Sequence, residues 1–247
     1  MKIRDSMPSM FSFYPEPPIY YRNNNMITIL FRTNPEILKE LVPSPLIPNS
    51  NNLAFVYVGD FHMDVPIAGK YREAGLGVPV TFKETVGDFY VSLYLDSALA
   101  ITAGREIWGW PKKDAEITYS VSRGVVQVSV SRGGISLISA SVNEMEQVIP
   151  VPHEPDTLAF NLKIVPSVKK NHPPDVFQLT SAITVSKKKE LIRGTATLTF
   201  ESSVTDPLGR IPIIEVLSGE HSIEDLTLDY GEVLFDYLAE NQSVTGD

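Results

Sequence analysis

Cysteine is absent from the chain, which excludes disulfides, thiol nucleophiles and cysteine-ligated metals. No apolar run approaches the ~20 residues that a membrane-spanning helix needs. Residues 1–5 are followed by serine, proline and aromatic residues, without the unbroken apolar stretch of a signal peptide. We therefore expect a cytoplasmic protein with no membrane partner.

Positive charge is also scarce. The chain has 21 lysine and arginine residues against 30 aspartate and glutamate residues, so its formal net charge is −9. A protein that binds nucleic acid needs basic residues clustered on one face. The densest basic run is Lys187-Lys188-Lys189, and Lys169-Lys170 is a weaker pair. Both lie between strand-like segments, where runs of one sign usually mark exposed residues. We predict solvated loop tips at both runs and no nucleic-acid partner.

Motifs for dinucleotide, P-loop and α/β-hydrolase sites are missing as well. One possible set of metal ligands is Asp60, His62 and Asp64, which share one face if the segment is a strand. Two carboxylates and an imidazole could bind a metal, but a solvent-facing strand edge gives the same pattern. No HExxH spacing or second histidine cluster supports a metal, so we expect no metal site.

What the chain does contain is enough apolar sequence for a sizeable core, 43% of its residues. Segments rich in β-branched and aromatic residues predominate, with short helices predicted at 35–41, capped by Asn34, and at 97–108, capped by Asp96. We predict one mainly β (α+β) domain over residues 1–247, an antiparallel barrel or wrapped sheets, with an irregular arm at 1–20. The predicted strands are 26–31, 53–63, 78–83, 88–95, 115–121, 125–130, 135–142, 160–165, 176–186, 191–202 and 212–218, and 232–238 is either strand or helix.

Lys112 is the first candidate for chemistry. Pro111 cannot continue a helix, so the chain must turn just before Lys112 and Lys113. Both tryptophans of the chain, Trp108 and Trp110, lie within four residues of Lys112. Apolar surroundings disfavour the charged form of a lysine, and a neutral amine can attack a ketone. On composition alone, however, two ordinary surface lysines after a helix explain the segment better, because most lysines are exposed.

The segment resembles the acetoacetate decarboxylase family. The family motif is a Gly-Arg-Glu helix end, then an aromatic residue, a proline and two lysines, which corresponds to Gly104-Arg105-Glu106 through Lys113 here. An upstream family segment, Tyr-x-Glu-x-Gly followed by Pro-Val-x-Phe, is similar to residues 71–75 and 79–82. Weaker similarity covers nearly the whole chain, at 31–33, 87–90, 94–96, 162–166 and 236–238.

This resemblance implies a site and a fold. Lys112 would be the Schiff-base nucleophile, Lys113 the family's neighbouring lysine, and Glu73 the carboxylate that lines the reaction pocket. Trp108, Trp110 and Tyr71 are the candidate pocket walls. The implied fold is a cone-like antiparallel β structure in a homo-oligomer that acts on a small keto acid, with no metal or organic cofactor.

The sequence departs from the family at two places. The family arginine before the first strand aligns with Asn24, and Arg22 is a possible replacement. A second pocket glutamate of the family falls on a strand that offers Val56 or Val58 here. These changes leave three functions open: decarboxylation of acetoacetate or a similar short β-keto acid, aldol condensation and dehydration of pyruvate with an aldehyde, or binding of a small molecule without chemistry.

The lysine pair also raises the question of what keeps one amine neutral. If Lys112 and Lys113 are extended, their side chains point to opposite faces, and solvent screens the charge of Lys113. We therefore expect burial of Lys112 among apolar residues, and not the charge of Lys113, to be the dominant cause.

Overall fold

The computed structural model describes residues 12–65, 69–149 and 157–239. Within these ranges the chain forms thirteen strands and few short helices, so the predicted mainly β class is confirmed. The elements are β1 (Ile19–Arg32), α1 (Pro35–Leu41), β2 (Ile47–Pro48), β3 (Leu53–His62), β4 (Lys70–Phe82), β5 (Thr85–Leu95), α2 (Ala98–Ala103), β6 (Lys112–Asp114), β7 (Glu116–Ser122), β8 (Val125–Arg132), β9 (Ile135–Val148), β10 (Thr157–Val165), β11 (Val176–Phe200), β12 (Glu215–Leu228) and β13 (Val233–Asp236).

The two helices are short and capped by side chains. Asn34 Oδ1 accepts a hydrogen bond from the Glu36 amide at 2.8 Å, and Pro35 takes the first helical position of α1, as predicted. The cap of α2 is Ser97 and not Asp96, because the Asp96 carboxylate accepts from the Arg72 amide at 2.7 Å instead. In the described part of the chain, no helix has the length and apolar content needed to cross a membrane.

Seven strands close a ring in the order β10-β5-β4-β3-β1-β12-β11, because β10 also pairs with β11. All of these pairings are antiparallel except β10 with β5. The far half of β11 leaves the ring and pairs with β9, which continues into β8 and β7. The wrapped antiparallel sheet predicted from the sequence is therefore present.

Strand alternation divides the buried residues between the two faces of the ring. Ala54, Val56 and Val58 of β3 belong to one cluster with Val126 and Val128 of β8, so the main core lies between the outer face of the ring and the β7–β9 sheet. Each fully buried side chain of this type stabilises the fold by about 1.5–3 kcal/mol. The inner face of the same strands carries aromatic residues and encloses a cavity.

Strand boundaries differ from the prediction near both ends of the ring. β1 begins at Ile19 and not at residue 26, so little of the predicted arm at 1–20 lies in the described residues, which begin at 12. β4 begins at Lys70, whereas the sequence predicted a strand only from 78. The segment around Glu73 therefore belongs to β4, and its glycines make room for aromatic rings, as described below.

The largest difference concerns β11. The predicted strands 176–186 and 191–202 are one continuous strand, Val176–Phe200, so Lys187-Lys188-Lys189 is not a loop tip. Pairing with β12 and β10 overrides the local signal of three successive charges. The Lys169-Lys170 pair does lie in an exposed turn, as predicted.

Candidate active site

A sharp change of backbone direction places Lys112. Helix α2 ends in a π-helical turn, Gly104–Trp108, and the chain then reverses at Gly109, whose φ is +80°. A Cβ on Gly109 would lie 2.4 Å from the Cα of Lys163, so the position requires glycine for both conformation and space. Pro111 follows, and β6 then pairs in parallel with β5, with Lys112 beside Leu93. The backbone of Lys112 is thus fixed by a sheet and not by a mobile loop.

Lys112 is buried and not a surface lysine. Its side chain is 4% exposed. A Cβ on Gly104 would lie 2.6 Å from Lys112 Cδ and 2.7 Å from Cε, so this glycine makes room for the lysine stem. The Gly-Arg-Glu motif therefore has a packing reason at its first position. Lys112 Nζ lies 4.5 Å from the centroid of the Trp110 ring, a favourable cation–π distance when the amine is charged.

Glu73 is the direct partner of Lys112. Lys112 Nζ donates to Glu73 Oε2 at 2.9 Å, and both side chains are 4% exposed. The other carboxylate oxygen, Oε1, accepts from the hydroxyl of Tyr57 at 2.5 Å. Burial, and next the negative charge of Glu73, raise the pKa of Tyr57 well above its ordinary value, so this phenol stays protonated and donates. The three side chains form one hydrogen-bonded group.

Aromatic rings surround this group on the inner face of the ring. Tyr71 stacks on Phe61 with centroids 5.5 Å apart, and Tyr21 packs edge-on against both rings. A Cβ on Gly75 would lie 2.3 Å from the Tyr57 ring, so the glycine of the Tyr-x-Glu-x-Gly segment lets Tyr57 lie across β4 and reach Glu73. Burial raises the pKa of Tyr71 well above its ordinary value as well.

A cavity of about 440 Å³ opens beside the group, inside the strand ring. Glu73, Tyr57, Tyr71 and Trp110 form part of its wall, and Lys112 Nζ contacts both Glu73 and Trp110. Half of the other lining residues are aromatic or aliphatic. The other half are polar or charged and come from β1, β5, β11 and β12: Thr28, Asp88, Thr184, Ser186, Lys188, Ser218, Glu220 and Glu224. Burial raises the pKa of Asp88 to about 6.

Lys113 points to the opposite face of β6, as alternation predicts. Its Nζ lies 2.6 Å from Asp206 Oδ1, and Arg132 Nη1 lies 3.2 Å from the other carboxylate oxygen. Burial acts to raise the pKa of Asp206, but hydrogen bonds from Lys113, Thr205 and Tyr94 outweigh it and hold that pKa well below its ordinary value. The charge of Lys113 is therefore balanced by a buried carboxylate, in addition to any solvent screening.

The two tryptophans have different positions. Trp110 lines the cavity. Trp108 is buried behind it, with the ring centroids 5.9 Å apart, and its indole N–H donates to the Asp229 carbonyl at 3.0 Å. The structure thus places Trp108 as a support for Trp110 and not among the residues that line the cavity.

Arg22 is not brought to the cavity. Its side chain is 50% exposed and pairs with Asp64 and Asp225 at 3.8 and 3.5 Å. Asn24 is fully buried, and its Oδ1 accepts from the His62 amide at 2.9 Å, so it fixes the end of β3. The family arginine therefore has no replacement at Arg22 in this arrangement.

Strand β3, on which the family carries a second pocket glutamate, has no glutamate here. Val56 and Val58 point into the main core, whereas Phe55, Tyr57 and Phe61 face inward. Tyr57 occupies the place from which a side chain can reach Glu73. Sequence reasoning missed Tyr57, although strict alternation along 53–63 separates it from the valines on either side.

The candidate metal ligands do not converge. His62 Nε2 lies 3.6 Å from Asp60 Oδ2, while Asp64 is engaged with Arg22. Over residues 12–65, 69–149 and 157–239, no group of three or more histidine, aspartate or glutamate side chains is placed to hold a metal ion.

Known proteins resemble this chain in sequence and in fold. A model of the acetoacetate decarboxylase family matches residues 6–238. The acetoacetate decarboxylase of Burkholderia ambifaria is 29% identical over 250 residues, which cover 97% of this chain and 100% of that protein. The crystal structure of acetoacetate decarboxylase from Legionella pneumophila has a TM-score of 0.85 at 28% identity, covering 94% of this chain and 93% of the other.

A more distant structure shares the fold. The enduracididine biosynthesis enzyme MppR, complexed with the condensation product of pyruvate and imidazole 4-carboxaldehyde, has a TM-score of 0.81 at 19% identity, with 92% of each chain covered. The family resemblance read from the Lys112 and Glu73 segments is confirmed by the match over residues 6–238. This chain belongs to the acetoacetate decarboxylase family.

Proposed function

We propose that the protein decarboxylates acetoacetate or a similar short β-keto acid through a Schiff base at Lys112. The observation that carries the proposal is the buried pair of Lys112 and Glu73, 2.9 Å apart, of which Glu73 lines a 440 Å³ cavity. Burial of a lysine in apolar surroundings is one of the ways in which enzymes activate its amine for imine chemistry. Membership of the acetoacetate decarboxylase family supports the same reaction.

The first requirement is a neutral amine. Along the 2.9 Å hydrogen bond, one proton transfer from Lys112 Nζ to Glu73 Oε2 converts the ion pair into a neutral amine and a carboxylic acid. Burial reduces the advantage of the ion pair, since removing two charges from water is costly. Glu73 thus supplies a route to the reactive amine that neither Trp110 nor Lys113 supplies. Burial, which the sequence predicts to be the dominant cause of a neutral amine, would act together with this proton transfer.

Imine formation then uses the same proton. Lys112 Nζ attacks the carbonyl carbon of the substrate, and the carbonyl oxygen becomes the hydroxyl of a carbinolamine. The acid form of Glu73 can protonate that hydroxyl, so that it leaves as water and an iminium ion remains. Such proton transfer by a positioned carboxyl group contributes about 10²–10⁴-fold to the rate.

The iminium ion is the electron sink for loss of CO₂. The bond between the α-carbon and the carboxylate carbon breaks, and its electron pair moves through the α-carbon to the nitrogen, which leaves an enamine. The α-carbon then takes a proton, and addition of water to the re-formed iminium releases the ketone and the free lysine. The hydrogen bond from Tyr57 holds the Glu73 carboxyl in place during these transfers.

Borohydride trapping tests the proposal. Incubating the protein with acetoacetate and borohydride should give a stable adduct at Lys112, located by mass mapping, and untreated protein should release CO₂ from acetoacetate. Lys112→Arg is the matched control, because it keeps a cation but cannot form the imine. Absence of an adduct at Lys112 with every keto acid in a panel would overturn the proposal.

Aldol condensation and dehydration is the second candidate, and the size of the cavity favours it. A volume of 440 Å³ lies in the range of about 300–1,000 Å³ that encloses drug-sized ligands, which is more than a short β-keto acid fills. No arginine is among the described residues that line it. If pyruvate and an aldehyde give a condensation product while acetoacetate releases no CO₂, this candidate replaces the first, with the same imine at Lys112.

A further inference from the structure

The middle lysine of the 187–189 run faces the cavity. β11 runs without a break from Val176 to Phe200, so alternate side chains along it share a face. Thr184, Ser186 and Lys188 line the cavity, and Lys188 is half-buried, whereas Lys187 and Lys189 are exposed on the outer face. Of the three lysines that the sequence predicts to be solvated, one therefore faces the cavity.

Lys188 lies on the wall opposite Glu73. In the strand ring, β12, β1 and β3 separate β11 from β4 on one side, and β10 and β5 separate them on the other. Lys188 pairs with Glu224, and Glu224 pairs with Asn24. Asn25, next to Asn24 on β1, pairs with Asp60 of β3. Asp60 is next to Gly59, which pairs with Glu73 of β4. The two residues therefore face one cavity from strands on opposite sides of the ring.

The charge of Lys188 is distinctive at this position. It is the one lysine or arginine among the described residues that line the cavity. Two carboxylates lie nearby: Glu224, whose Oε2 accepts from Ser186 Oγ, and Glu220, which pairs with Arg193 at 2.9 Å. An ammonium group has three N–H donors, so Lys188 can stay near Glu224 and still donate to a ligand in the cavity.

We propose that Lys188 binds a carboxylate at the end of the substrate remote from the carbonyl that reacts at Lys112. Lys188 would then determine specificity for keto acids over neutral ketones of the same shape. The inference rests on the proposed function, because it takes imine formation at Lys112 as the other fixed point. Substrates whose carboxylate reaches across the cavity would also occupy the space that acetoacetate leaves unfilled.

The test compares acids with their neutral esters. Levulinate and 5-oxohexanoate carry a ketone and a carboxylate at increasing separation, and their methyl esters have the same shape without the charge. Calorimetric binding and borohydride trapping at Lys112 are measured for each in the native protein, in Lys188→Gln and in the control Lys187→Gln, whose lysine is on the outer face. Lys188→Arg keeps the positive charge.

We expect Lys188→Gln to weaken binding of at least one acid about tenfold, the worth of one hydrogen bond to a charged group, and to leave its ester unchanged. Lys187→Gln should change neither, and Lys188→Arg should keep most of the preference for the acid. Equal effects on acid and ester throughout the series would overturn the inference. Tighter binding of the acids by Lys188→Gln would also overturn it.

The two readouts separate the inference from the proposed function. Acid-selective binding that depends on Lys188, with no adduct at Lys112, would support the role of Lys188 and reject imine chemistry. Trapping at Lys112 with no dependence on Lys188 would do the reverse.

Discussion

Replacing Glu73 with glutamine tests how the buried pair works. Glutamine has nearly the same shape and keeps an oxygen that can accept from Tyr57 or Lys112, which now lie 2.5 and 2.9 Å from the carboxylate oxygens. What it loses is the negative charge and the ability to carry a proton. The variant therefore isolates proton transfer from packing.

The size of the effect follows from the geometry. Loss of one general acid–base group lowers kcat by about 10²–10⁴-fold. Glu73 touches Lys112 and lies in one wall of a large cavity. KM should therefore change by less than about fivefold, which is a smaller effect than the loss of one hydrogen bond to a charged group would cause. Removing one partner of a buried ion pair costs about 3–5 kcal/mol of stability when the other partner stays charged, so this is the largest loss of stability that we expect in the variant.

Three measurements decide the outcome for Glu73→Gln. Release of CO₂ from acetoacetate gives kcat and KM, borohydride trapping gives the rate of imine formation, and urea unfolding gives stability. Slow turnover with near-native KM and folded protein is the expected result. Unchanged kcat would refute the reasoning, since Glu73 would then have no part in moving protons.

Three further substitutions test the surroundings of Lys112. Gly104→Ala places a methyl group 2.6 Å from Lys112 Cδ. We expect borohydride trapping to slow by more than about tenfold, and urea unfolding to show that overpacking lowers stability by about 1–3 kcal/mol. Trapping at the native rate would contradict this prediction. Lys113→Gln should keep the rate of trapping at pH 7 within about twofold of the native rate, because the charge of Lys113 is balanced by Asp206 and lies on the opposite face of β6 from Lys112. A large fall in that rate would show that the charge of Lys113 does act on Lys112. Asp206→Asn should lower the free energy of unfolding near neutral pH. Because folding lowers the pKa of Asp206, the difference in stability between native protein and variant should shrink as pH falls below about 4 and be lost near the folded pKa. A difference in stability that grows in acid would contradict this prediction.

The sequence predicted helix α1 better than the strands that hold the candidate site. Local signals sufficed for α1, because Asn34 and Pro35 act within one turn. They failed for β4, where Gly75 reads as a loop residue but serves to admit the Tyr57 ring. That contact joins two strands, and no local pattern in either segment encodes it.

The same limit explains what was missed in the site. Lys188 was assigned to a loop tip because three charges in succession are typical of exposed turns, while its inward direction follows only once β11 is known to be continuous. Arg22 is near Asn24 in sequence, yet a shift in strand register between Tyr21 and Asn24 separates them, with Asn23 at a φ of +50°. Sequence proximity therefore did not give a replacement for the family arginine.

Trapping the imine with acetoacetate tests the central claim most directly. Borohydride added during turnover should inactivate the protein and leave one adduct, mapped by mass to the peptide that contains Lys112, while Lys112→Arg should give none. An adduct at another lysine, or turnover of acetoacetate that borohydride leaves unaffected, would contradict the account.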